Sequence, residues 1–474
     1  MLVQDFLQHS AERLPDKEAL VCGDRRMTYA EVDAHVNRLA NAMIDNGVQR
    51  GDRVVIFLNN SIEAVLSIFA TIKAGGVFVF VNPNAKPNNL AYILNNCSAT
   101  ALVAELHNFS LVSSILEDNH SLKFSILSDA HTTSVKIDAG TIYGHVRMLD
   151  FKDILWTYSD QSLPRVNIDL DLACLIYTSN GAGELQGVMS DHSNILFATS
   201  SIIEYLANVE DDIVINMLPF SSDCGLYQLL MVIKFGGTLV LEQPFAEPAT
   251  ILKRIEEEQV TGFSGVPSTF EKLLKIDLST YDLSSLRYLT NTATAMQRSH
   301  ISQIQEMLPS VPLYTVYGLN ENERILYLPP DQIKEHSDSM GIPIPGTEAW
   351  IEDEIGNRVS PGETGELVVR GRHVMRGYWE DIETTSIRYR PGLYPGEWVC
   401  YTGESFRMDN DGYFYYVEGR SDGKSNQGGK VISKEIDNFL TEKDEALEDE
   451  GVTPNQFTSV DQLSTNIRRG TEGS

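Results

Sequence analysis

Between Tyr29 and Val81 the chain alternates twice between helical and extended hydrophobic spacing, and this alternation restricts the fold more than any other feature. Tyr29–Asn46 carries apolar residues at helical intervals (Val32, Val36, Leu39, Ala40, Met43), behind a Thr28 suited to capping the first turn. Arg53–Leu58 (RVVIFL) is a short unbroken apolar run of the fully buried strand type. Ile62–Lys73 returns to a helix and Val77–Val81 to a strand. Further strand-like units follow at Ala101–Ala104, Ile213–Met217, Thr238–Leu241 and Leu286–Leu289. Such alternation predicts parallel sheets covered by helices, an α/β architecture.

From about Ala349 the pattern changes. Ala349–Ile351, Glu366–Val369, Trp398–Tyr401 and Tyr413–Val417 read as strands separated by turn signals such as Asp353-Glu354-Ile355-Gly356-Asn357 and Asp409-Asn410-Asp411-Gly412. An antiparallel β subdomain is expected there. After Leu440 the chain is acidic and then polar, a composition expected to be disordered or loosely helical.

A formal net charge of −29 argues against a nucleic-acid partner, which needs a basic footprint. Backbone N–H groups and helix N-termini can still cradle a phosphate locally. The five cysteines (Cys22, Cys97, Cys174, Cys224, Cys400) are scattered and lack metal-ligand spacing, which suits a reducing compartment. Met1–Lys17 mixes Asp5, Glu12 and Asp16 into its apolar residues and does not read as a signal peptide. Ile62–Val81 contains Glu63, Lys73 and Gly75-Gly76, so helix, turn and strand fit it better than a membrane span. A cytoplasmic protein without a membrane partner is expected.

Five collinear segments together resemble the adenylate-forming superfamily of acyl-CoA synthetases, fatty-acyl and aminoacyl-AMP ligases, and peptide-synthetase adenylation domains. Met27–Pro83 is similar to that family's first block, and VTGFSGVPSTFEKLL (Val260–Leu274) to its mid-domain helix entry. LYTVYGLNENERILYLPP, GETGELVVRGRHVMRGYW and YTGESFRMDNDGYFYYVEGRSD follow in the family's order. The resemblance implies a large N-terminal body of two α/β sheet subdomains plus a small β subdomain, ending near residue 421, and a truncated C-terminal domain. It also implies chemistry in two halves. ATP and a carboxylate give an acyl-adenylate and pyrophosphate, and a thiol or amine then takes the acyl group.

The family's phosphate loop, Tyr-Thr-Ser-Gly-Thr-Thr-Gly-x-Pro-Lys-Gly-Val, appears here as Tyr177-Thr178-Ser179-Asn180-Gly181-Ala182-Gly183-Glu184-Leu185-Gln186-Gly187-Val188. Thr178, Ser179 and Gly183 match and offer hydroxyls and backbone N–H groups. The lysine position is Gln186, and Glu184 adds a negative charge. Losing a charged hydrogen bond costs roughly 1.5–3 kcal/mol. Two readings follow: a turn without phosphate chemistry, or a loop that binds nucleotide weakly.

The nucleotide anchor Tyr-Gly-x-Thr-Glu appears as Tyr317-Gly318-Leu319-Asn320-Glu321. By resemblance Tyr317 stacks on adenine, Asn320 replaces a threonine contacting the α-phosphate, and Glu321 is the catalytic carboxylate that holds magnesium. Glu404, in Tyr401-Thr402-Gly403-Glu404, and Arg420 match the groups facing the ribose. Asp223, in Leu218–Leu226, resembles the aspartate that fixes a substrate α-amino group in aminoacyl-activating members. Its alternative role is to cap the helix that follows. Thr292, Ala293 and Thr294 match the pocket floor and adenine edge.

Asp422 matches the hinge of the family's small domain. The chain runs from Asp422 only to Ser474, whereas a complete small domain has on the order of a hundred residues. The expected division is therefore 1–421, a remnant at 422–440 and an acidic to polar tail at 441–474. The family's C-terminal lysine has no counterpart in this segment. Three functional readings stand: a divergent ligase homologue of secondary-metabolite or lipid biosynthesis with impaired ATP-dependent activation, a pseudoenzyme acting as scaffold or partner subunit, and a small-molecule binding module. The implied ligands are a carboxylic or amino acid, weakened ATP or AMP with Mg2+, and CoA or a carrier protein. A partner ligase is a further implied partner.

Overall fold

The computed structural model describes residues 1–116, 119–128, 141–179, 183–243, 247–292 and 296–417. All of these lie within the unit Met1–Val431. Among the described residues the frame is two large sheets, of eight and nine strands, and a smaller antiparallel one. In the eight-stranded sheet Arg53–Phe57 lies between Val77–Phe80 and Ala101–Glu105, all parallel, with Val54 opposite Phe78 on one side and Ala101 on the other. One edge is an antiparallel hairpin, Leu172–Ser179 with Leu185–Asp191. The nine-stranded sheet has a parallel centre that includes Ile213–Asn216, Gly262–Gly265, Tyr288–Asn291 and Leu313–Tyr317. The strand Glu18–Cys22 joins it beside Thr238–Leu241.

The helix spacing read from the sequence has a direct cause. Tyr29–Asp45 begins at Thr28, whose hydroxyl accepts the Glu31 N–H while the Glu31 carboxylate accepts the Thr28 N–H. This capping box satisfies two donors that the first turn leaves open. Every residue of Ile62–Lys73 is buried. One core joins Ile62, Val65, Ile68 and Phe69 to Val54 and Ile56 of one sheet and Val214 and Leu239 of the other. Each such side chain contributes about 1.5–3 kcal/mol on burial. Lys73 is accommodated because its Nζ donates to Asp33 Oδ1 (2.6 Å) and Asn37 Oδ1 (2.8 Å). Among the described residues no helix is long and apolar enough to cross a membrane.

The β subdomain is antiparallel as expected, with Thr364–Arg370 between Glu348–Glu352 and Trp398–Met408. The strand expected at Leu286–Leu289 falls instead at Tyr288–Asn291. Leu286 is buried in the core beside that sheet but precedes the ladder. The segments 422–440 and 441–474 lie outside the described residues, as do Asp422 and Arg420.

Candidate functional site

Tyr288–Asn291 and Leu313–Tyr317 are neighbouring parallel strands, with Asn291 opposite Thr315. Their C-terminal ends form the kind of edge where α/β sheets bind ligands. The chain reverses as it leaves the second strand. Leu319 O accepts the N–H groups of Asn322 (2.9 Å) and Glu323 (2.7 Å), and the Ile325 N–H returns to Tyr317 O (2.9 Å). Gly318 is required by this reversal, because a Cβ there would stand 1.7 Å from the Glu323 carbonyl oxygen.

Tyr317 lies half-buried at the strand end. Its hydroxyl donates to Glu404 Oε2 at 2.5 Å, and its ring centroid is 5.2 Å from that of Phe406. Burial and the adjacent Glu404 carboxylate both raise the Tyr317 phenol, keeping it a donor. A cavity of about 220 Å³ opens beside the same strand ends, lined in part by Asn291, Thr315, Val316, Met296 and Met340. Asn320 is buried in the loop that follows.

Glu321 Oε1 accepts the Tyr378 hydroxyl at 2.5 Å. Tyr378 belongs to a segment laid along the phosphate-loop hairpin: Met189 N–H donates to Gly377 O (2.9 Å), and Trp379 N–H to Gly187 O (2.7 Å). The hairpin is thereby brought beside Glu321. Thr178 and Ser179 end its first strand, opposite Gln186 and Leu185. Gly183 turns with φ +83°. Gln186, at the lysine position, donates its amide to Asp381 Oδ2 at 2.9 Å.

Asp223 opens the helix Asp223–Phe235, but Ser222 is its N-cap, the Ser222 hydroxyl accepting the Gly225 N–H. Capping by Asp223 is therefore not its role. Asp223 is buried and faces charge partners that the sequence does not announce. Arg324 Nη1 donates to Thr292 Oγ1 (2.6 Å), Thr292 Oγ1 lies 3.0 Å from Cys224 Sγ, and the Arg324 guanidinium attracts Asp223. Glu323 is fully buried, sits at the left-handed φ of +59°, and has Oε1 3.5 Å from Arg324 Nε. Burial raises both the Asp223 and Glu323 carboxyls, and the Asp223 carboxyl raises Glu323 further by proximity.

The structure thus brings Tyr317 and Glu404 together, bonds Thr292 to Arg324, and sets Glu321 beside the Thr178–Ser179 hairpin. Ala293, Thr294, Arg420 and Asp422 lie outside the described residues. Sequence reasoning missed Glu323, Arg324, Tyr378 and Arg388. The available signal was a charged Glu323-Arg324 pair inside a segment otherwise similar to the family's anchor.

The model of the AMP-binding enzyme family matches residues 7–379. The chain belongs to the AMP-binding enzyme family. A long-chain-fatty-acid–CoA ligase of Bacillus subtilis (strain 168) is 29% identical to it over 463 residues, covering 93% of this AMP-binding enzyme and 80% of the relative. Gramicidin S synthase 2 of Brevibacillus brevis is 26% identical over 97% of the chain, which corresponds to 10% of that synthase. Among solved structures, the anthranilate CoA ligase AuaEII in complex with anthranoyl-AMP superposes with a TM-score of 0.79 at 25% identity, over 88% of this chain and 77% of its own. The α/β body and the relation to acyl-CoA ligases and adenylation domains expected from the sequence are thereby established.

The residues present fit the two ends of ATP unequally. The Tyr317–Glu404 pair keeps an aromatic ring and a carboxylate at the strand end, the groups an adenosine requires. The described part of the phosphate hairpin offers Gln186, already bonded to Asp381, where a triphosphate needs a cation. Glu321 is partly buried, with Oε1 held by the Tyr378 hydroxyl.

Proposed function

We propose that this AMP-binding enzyme binds a carboxylic or amino acid, as the free acid, its adenylate or its thioester, and that its activation of the acid by ATP is impaired. Secondary-metabolite or lipid biosynthesis is the setting, with CoA or a carrier protein as acceptor. Tyr317, Gly318, Asn320, Glu404 and Arg420 hold the nucleotide in this reading, with Thr178, Ser179 and Gly183 on the phosphate side and Glu321 at the reacting group. Asp223, Thr292, Ala293 and Thr294 line the acid side. Residues 1–421 act as the nucleotide-binding body, with 422–440 and 441–474 as separate segments beyond the Asp422 hinge. The observation that carries the reading is the contrast between the Tyr317–Glu404 pair, kept at the strand end, and Gln186, which is engaged by Asp381.

A second reading, a binding module or partner subunit without turnover, is favoured by Arg324, which fills the acid side with its own bond to Thr292. Pyrophosphate release across a panel of fatty, aryl and amino acids tests the first. The expected rate is at least 100-fold below that of the B. subtilis fatty-acid ligase assayed alongside; a ligase-like rate with any acid overturns the impairment. A thermal-shift response to no acid and to no adenylate mimic would leave only the partner subunit.

A further inference from the structure

Residues 376–381 lie along the second strand of the phosphate-loop hairpin. The Arg376 N–H donates to Met189 O (3.0 Å), the Met189 N–H to Gly377 O (2.9 Å) and the Trp379 N–H to Gly187 O (2.7 Å). Gly377 is required at the bend, because its φ is +119° and a Cβ there would stand 2.4 Å from Thr385 Cγ2. From this segment two side chains reach positions that the resemblance assigns to the phosphate side. The Tyr378 hydroxyl donates to Glu321 Oε1 at 2.5 Å, and Asp381 Oδ2 accepts the Gln186 amide at 2.9 Å. Gln186 is paired directly across the hairpin with Thr178, which puts their side chains on one face. The Asp381 carboxylate thus stands one side chain away from Thr178.

Asp381 is fixed in that place. Its Oδ1 accepts the Thr384 N–H at 2.9 Å and caps the helix Ile382–Arg388, and its backbone carbonyl accepts the Thr385 hydroxyl at 2.6 Å. Burial pulls the carboxyl up, but Thr384 and the Gln186 amide more than offset this and hold it below the usual carboxylate range, so it stays ionised. A fixed anion there repels a triphosphate more than a single phosphate, because the ligand's charge grows with each phosphate.

We propose that Asp381 is a specificity-determining residue: it holds Gln186 at the position of the family's lysine and keeps the phosphate side negative, so that the site takes a nucleoside monophosphate in preference to a triphosphate. A lysine at 186 would meet the same carboxylate and form an ion pair with it. Restoring that cation alone therefore does not restore triphosphate binding. Two changes are needed, one to supply the cation and one to release it.

The inference rests on the nucleotide-binding reading above, and the test separates the two. The full chain is titrated calorimetrically with AMP and with ATP, each in Mg2+, as wild type, Gln186→Lys, Asp381→Asn and the double variant. Asparagine keeps the helix cap and removes the charge. Relative to wild type, ATP should bind Gln186→Lys within about threefold, Asp381→Asn about fivefold more tightly and the double variant about thirtyfold more tightly, with AMP changing by no more than about threefold throughout. Should Asp381→Asn fail to fold, Asp381→Ser, which also caps, replaces it in both backgrounds. ATP binding to Gln186→Lys as tight as to the double variant would show that Asp381 captures no cation, and overturns the inference. So does an ATP affinity that Asp381→Asn leaves unchanged in both backgrounds, or a gain that AMP and ATP share equally. In each of these cases AMP still binds and the nucleotide-binding reading stands. Absence of AMP binding to wild type overturns both.

Discussion

Arg324→Met is expected to lower the stability of the folded chain by about 3–5 kcal/mol, the loss typical when one partner of a buried ion group is removed. Arg324 is buried against Thr292, Cys224 and Glu323, so its removal leaves the buried Thr292 hydroxyl without its donor and the buried acidic groups around it without a cation. Chemical denaturation measures the loss. The same cluster sets a pH dependence. Burial raises the Glu323 carboxyl, so the folded chain holds a proton there that the unfolded chain releases near its ordinary pKa of about 4.3. Its stabilising contribution is full below that value and is lost as pH rises through the folded-state value. Glu323→Gln, which cannot release a proton, should therefore gain stability relative to wild type as pH increases. A Glu323→Gln difference that is flat with pH would show that the carboxyl is not protonated in the fold.

The second large effect is on binding. Glu404→Ala should weaken AMP by at least tenfold, since losing a hydrogen bond to a charged group costs roughly 1.5–3 kcal/mol. Tyr317→Phe should leave affinity within about threefold. It keeps the ring at the strand end and frees Glu404 from the 2.5 Å phenol bond for the ribose hydroxyls. Calorimetry on both variants checks the pair. An equal loss in both would mean that the phenol, rather than the carboxylate, contacts the nucleotide.

Much of the fold is legible in the sequence because it depends on spacing. Thr28 and Glu31 announce a helix start three residues apart, and Ile62–Lys73 falls where its apolar pattern puts it. Strand ends are less legible, since Leu286 is as buried as the strand it precedes and hydrophobicity alone does not mark where a ladder begins. The Tyr317, Glu321 and Glu404 positions were recognisable from their motifs. Their partners were not, because residue type does not reveal burial: Glu323, Arg324 and Arg388 read as surface charges and are all buried. Gln186 shows the same limit from the other side. Its substitution for a lysine is plain in the sequence, but the bond to Asp381 joins residues far apart in the chain.

Calorimetric titration of wild type with AMP and with ATP, each with Mg2+ present, measures the proposed contrast between a kept adenosine end and an impaired triphosphate end. AMP should bind, and ATP should bind at least tenfold more weakly, since two further phosphates meet Gln186 and Glu184 instead of a cation. ATP binding more tightly than AMP would contradict the account.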